Sequence, residues 1–149
     1  MLHPGGASMR PMARPHDARL SAGATLVRVA VASVFVIHGI TRVANGTVGG
    51  FGGFLGSWGF PLGVAVAWAI TVTEIAGGVT LAMGWWVVPL ASWFALQIAA
   101  GIIMVHAQNG WFVVGAGTGG VEYSALIIAA LVATALMAPL GRHFGGSRY

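Results

Sequence analysis

The 149-residue chain contains no cysteine and no lysine, and its only acids are Asp17, Glu74 and Glu122. The absence of cysteine excludes disulfides, thiol chemistry, iron–sulfur clusters and thiolate zinc sites. Charged residues make up 7% of the chain, where a soluble domain carries roughly a quarter. There is no nucleotide-binding loop, dinucleotide fingerprint or His-Glu-x-x-His zinc motif, and no nucleophile elbow. No redox centre is evident in the chain itself. The basic residues are all arginine, at positions 10, 14, 19, 28, 42, 142 and 148. They gather near the two ends and form no basic stripe, so a nucleic-acid partner is not expected.

What the chain has in abundance is apolar residues, at 57% of the total. A membrane helix needs about 20 of them to cross about 30 Å of hydrocarbon. Four spans fit, at about 22–42, 62–83, 86–106 and 121–140. Pro61 precedes the second, Pro89 lies in the first turn of the third, and Pro139 with Gly141 closes the fourth. The fold class expected is all-α, a polytopic membrane four-helix bundle. Its parts are a disordered tail over 1–20, a membrane domain over 21–142 and a second tail over 143–149. Arg10, Arg14 and Arg19 precede the first span and Arg142 and Arg148 follow the last. The positive-inside rule then puts both termini in the cytoplasm. Trp58 and Trp111 fall at the outer interface and Trp85–Trp86 at the inner one, as an aromatic belt. Arginine without lysine, amid much Ala, Gly and Val, points to a GC-rich bacterial genome and so to an inner cell membrane. The Gly-rich link over 43–61 reads either as a loop folded over a cavity or as a flexible interfacial connection.

Ionisable groups inside a span are costly and face protein or water. Helical rise places Arg28 on span one and Glu74 on span two at similar depths below the outer surface, which predicts a buried Arg28–Glu74 ion pair. Gly77 and Gly78 follow Glu74 on the same side, where a neighbouring helix can approach closely. A second group, His38, Arg42, His106, Glu122 and Tyr123, falls within about two turns of the outer surface. Arg28, Phe35 and Arg42 are seven apart with His38 between, and so share one stripe expected to face the bundle. The group reads as an outer polar pocket that binds a head group and exchanges protons, or as interfacial residues that cap helix ends. His38 and His106 at similar depth would permit a haem, or a metal with Glu122 as third ligand. Nothing in the sequence fixes either, and no metal site is assigned. Gln97, inside span three, reads as hydrogen-bonding glue between helices.

Taken in order, several short motifs resemble the DoxX family. They are Arg28, His38-Gly39, Arg42, Gly59-Phe60-Pro61, Glu74-Ile75-Ala76-Gly77-Gly78 and Gly84, then His106-Ala107-Gln108-Asn109-Gly110-Trp111-Phe112 and Glu122-Tyr123. The resemblance covers about residues 22–142, and Arg42 stands where the family often has lysine. It implies a small four-helix membrane protein, loosely tied to respiratory or thiol-redox chemistry. Some members are similar to subunits of quinone-linked oxidoreductases.

Three functions follow as expectations. The first is the membrane subunit of a quinone-linked redox complex. There His38, His106 and Glu122 would accept protons, Arg42 would hold a quinone oxygen, and a redox partner protein would take the electrons. The second is a structural or assembly protein without catalysis. The third is a small-solute or proton pathway that depends on Glu74.

Overall fold

In the computed structural model the described residues are 15–138, and all their regular structure is helical. Arg10, Arg14, Arg142, Arg148, Pro139, Gly141 and the expected C-terminal tail lie outside them. Helix α1 spans Pro15–Ala44. It therefore takes in residues 15–20, which composition assigns to a disordered tail. A proline suits the first helical position, since its missing N–H has no partner there anyway.

Two devices stop α1. Gly46 adopts a left-handed φ of +66°, which a glycine takes without steric cost. The Gly46 and Thr47 amides then turn back onto the carbonyls of Val43 and Arg42. The chain resumes helix immediately as α2, Val48–Ser57. The Gly-rich link is thus helical from Val48 to Ser57 and not a loop. Its glycines are compatible with helix because α2 lies directly against the next one, α3 (Gly63–Val72). A Cβ on Gly52 would strike the backbone of Val64, and one on Gly63 the backbone of Gly52 and Gly56. Val48, Leu55 and Ala67 are buried in this contact, with Phe51, Phe54 and Met104 around them.

The α3 rod continues through a π-helical turn, Thr73–Gly77, into α4, Gly78–Ala82. Gly84, with φ +81°, reverses the chain. α5 (Val87–Gly101) runs on through a second π turn, Ile102–His106, and a 3₁₀ turn, Ala107–Asn109. α6 covers Glu122–Leu136. Three stretches are long and apolar enough to cross a membrane, Asp17–Ala44, Gly63–Ala82 and Val87–Asn109, and the apolar α6 is shorter. The main core lies between α1, α4, α5 and α6. Val31, Ala32, Phe35, Leu81, Phe94, Ile127 and Leu131 are buried there, and Phe35 stacks on Phe94 at 4.1 Å. Large side chains point outward all along the bundle, including Ile37, Trp68, Leu96, Ile103 and Leu126. A surface so apolar belongs in lipid. Trp58, Trp85, Trp86 and Trp111 are exposed at helix ends, where an interfacial belt would stand.

Small residues set the register of α1 on the rod. A Cβ on Gly39 would meet Ile75, Thr71 and Glu74, and one on Gly78 would meet Val36 and Ala32. Gly77 faces another way, toward Leu90 and Phe94 of α5. The two adjacent glycines therefore serve two neighbours rather than one.

Candidate functional site

Glu74 lies eleven residues after Gly63 and eight before Ala82, about 17 and 12 Å along the rod. Gln97 lies ten residues into α5, about 15 Å from its start. Both are near the middle of a hydrocarbon layer about 30 Å thick. A carboxylate at that depth needs partners, and Glu74, 3% exposed, accepts from three nitrogens of two residues. One guanidinium nitrogen of Arg42 donates to its Oε2 at 2.5 Å and the other to Oε1 at 3.4 Å. Gln97 Nε2 also donates to Oε1. Arg42 reaches Thr71 Oγ1 at 3.0 Å as well, and Thr71 in turn donates to the Ala67 carbonyl. The Phe51 ring of α2 lies 4.5 Å from the Arg42 guanidinium carbon, close enough for a cation–π contact.

Arg42, Glu74 and Phe51 are each positioned by a break in regular helix, whereas Thr71 and Gln97 sit within regular α3 and α5. α1 stops two residues after Arg42, and the chain folds back over the Arg42 carbonyl, which accepts hydrogen bonds from the Thr47 amide and hydroxyl. Glu74 sits in the π turn of the rod, a kind of local irregularity often found at functional sites. α2, beyond the break, brings Phe51 over the ion pair. The charged side chains are not equally closed in: that of Arg42 is 17% exposed and that of Glu74 4%. One acceptor is left over. Gln97 Oε1 is buried and has no hydrogen-bond partner among the described residues.

The Arg28–Glu74 pair expected from depth is not formed. Glu74 pairs with Arg42, while Arg28 Nε donates to the Ala82 carbonyl at 3.4 Å. The error lies in placing the end of span one and the start of span two at the same level. Equating the outer ends of spans one and two ignores α2, which is helical and carries the chain further along α3 before it turns. The rod is therefore displaced along α1, so that Gly39 meets residues 71–75 and Arg28 meets Gly84.

The outer pocket is not assembled either. His38 is exposed. Three residues of helix turn it about 60° away from Phe35, off the buried line through Ala32, Phe35 and Gly39. His106 Nδ1 is held 2.8 Å from the Gly119 carbonyl, and Glu122 Oε1 accepts from the Val113 amide. Both side chains fasten the 110–121 loop, whose Gly119, Gly120, Val121 and Glu122 amides also bond back to residues 110–113. Tyr123 is 53% exposed. Arg42, the fifth member, belongs to the inner cluster instead. Among the described residues no group of three His, Asp or Glu side chains could hold a metal ion. Thr71 and Gln97 are the members of the cluster not anticipated as a site. The isolated amide of Gln97 inside an apolar span was the signal available for one of them.

Comparison with known proteins agrees with this architecture. The DoxX family model matches residues 23–107, a stretch that runs from α1 through both π turns and includes Arg42, Glu74 and Gln97. No curated protein and no solved structure matches the chain. With more than half of its length matched by that model, and with helices apolar enough to span a bilayer, the chain belongs to the DoxX family of membrane proteins.

Proposed function

We propose that the chain is the membrane-embedded, quinol-binding subunit of a redox complex in an inner cell membrane, with both termini cytoplasmic. The observation that carries this reading is the buried Gln97 Oε1, unpartnered among the described residues, beside an Arg–Glu pair near mid-bilayer depth. An orphaned buried acceptor is unfavourable by about 1–3 kcal/mol. A hydroxyl of a lipid-soluble quinol would satisfy it, and the partly exposed Arg42 would donate to the oxygen once it is oxidised. Quinol oxidation releases two electrons and two protons, and no redox centre is evident here, so a partner protein receives the electrons. In place of His38, His106 and Glu122, Glu74, the carboxylate within the cluster, accepts the two protons one at a time, releasing the first to water before it takes the second. A scaffold reading, in which the cluster only fixes helix register, is favoured by the direct Arg42–Glu74 bond. One experiment separates them. Protein extracted in mild detergent is examined for bound quinone by absorption and mass spectrometry, and is then titrated with decylubiquinol. Quinone near one per chain, lost in Gln97→Leu while the fold is kept, supports the proposal. Wild-type protein that neither carries quinone nor binds added quinol rejects it in favour of the scaffold.

A further inference from the structure

A second feature lies at the opposite end of the rod from α2 and is independent of the quinol reading. Between α1 and α4 is an open groove of about 490 Å³, lined by Ser33, Val36, Ile37, Val79, Ala82 and Met83. Its one hydroxyl is already used, since Ser33 Oγ donates to the Val29 carbonyl, so the groove offers an apolar wall. Ala82 forms part of that wall and also accepts the Arg28 Nε hydrogen bond. The guanidinium lies over Gly84, where a built Cβ would come within 3.3 Å of its central carbon. This is the level of the exposed Trp85 and Trp86, where head groups meet hydrocarbon.

No carboxylate among the described residues balances Arg28. Glu74 is held by Arg42 and Glu122 by the Val113 amide, and Asp17 is eleven residues back along α1, about 17 Å away. The described residues offer no acceptor to the two terminal nitrogens of Arg28. A guanidinium fork of this kind matches a phosphate. From Arg28 to Ile37 α1 rises about 14 Å, close to half of a hydrocarbon layer about 30 Å thick. That is the reach of one acyl chain.

We propose that Arg28 and the adjoining groove bind one anionic phospholipid of the leaflet nearer the N-terminus, with its phosphate on the guanidinium and one acyl chain along Val79 and Ile37. Charge complementarity selects this occupant over an uncharged helix of a second copy. The test uses the full chain, delipidated and titrated with phosphatidylglycerol, with phosphatidylcholine of the same chains, and with inorganic phosphate. Bound copies are counted by native mass spectrometry. Phosphatidylglycerol is expected to bind once per chain and about tenfold more tightly than phosphatidylcholine, and inorganic phosphate not to compete. Arg28→Gln abolishes the preference, and Val79→Trp weakens phosphatidylglycerol binding by filling the groove. Equal binding of the two lipids, a preference that survives Arg28→Gln, or competition by inorganic phosphate at the lipid's own concentration would overturn the proposal. Should Arg28→Gln lose its helical circular dichroism, Val79→Trp decides alone, and unchanged phosphatidylglycerol affinity in that variant rejects the site.

Discussion

Single residues carry the chemistry of this protein, and Glu74 carries the most. Its charge is balanced by Arg42 across the α1–rod contact. Removing one partner leaves the other buried and uncompensated, which costs about 3–5 kcal/mol. Arg42→Met and Glu74→Met are each expected to lower the thermal midpoint in detergent sharply. The double variant Arg42→Met/Glu74→Met should recover most of the loss, because two apolar side chains leave no charge exposed to lipid. Thermal scans of the three proteins check this, and a double variant as unstable as the singles would deny the pairing. Arg28 offers a contrast. Its bond to Ala82 lies at the rod's end, so Arg28→Gln is expected to change stability by no more than about 1 kcal/mol, measured in the same scans.

At the scale of elements, glycine decides how helices meet. In α2 two neighbouring glycines face different surroundings. A Cβ at Gly52 would strike the backbone of Val64, whereas Gly53 has nothing within 4 Å. Gly52→Ala is therefore expected to destabilise by about 1–3 kcal/mol through overpacking. Gly53→Ala should stabilise by up to about 1 kcal/mol through helix propensity. Opposite shifts of the melting temperature establish that α2 packs on α3, and equal shifts would refute it. That contact was hidden in the sequence. The run from Val48 to Ser57 looks like a loop because glycine is a poor helix former, yet here the missing side chains are what let two backbones close together. Isolated propensity and tertiary packing point in opposite directions, and packing prevails.

The whole molecule is set by its relation to the bilayer. The absence of cysteine makes its topology directly measurable. Cysteine placed at Ser57, in the α2–α3 turn, and at Trp85, in the turn before α5, should react with a membrane-impermeant maleimide from opposite sides of sealed vesicles. Labelling of both from one side would contradict a rod that crosses the membrane. A reporter fused to each terminus should be active on the same side if an even number of spans returns the chain to its start.

The sequence alone determined the solvent and the all-helical class. Few charges and long apolar runs leave helices as the form that satisfies every backbone group within lipid, and the ordered motifs pointed to the DoxX family. It also singled out Arg28 and Glu74 as deep charges, placed Arg42 near the outer surface, and read Gln97 as glue between helices. Only the tertiary structure decided which of them meet. Pairing depends on the axial offset between neighbouring helices, and because Arg28 and Arg42 lie fourteen residues apart, an error of about four helical turns exchanges one arginine for the other. That offset is set by α2 and by the close approach at Gly39, Gly52 and Gly78, contacts between residues far apart in the chain. The same geometry turned His106 and Glu122 into fasteners of a loop, because a side chain near the membrane surface takes whichever backbone group the fold brings to it.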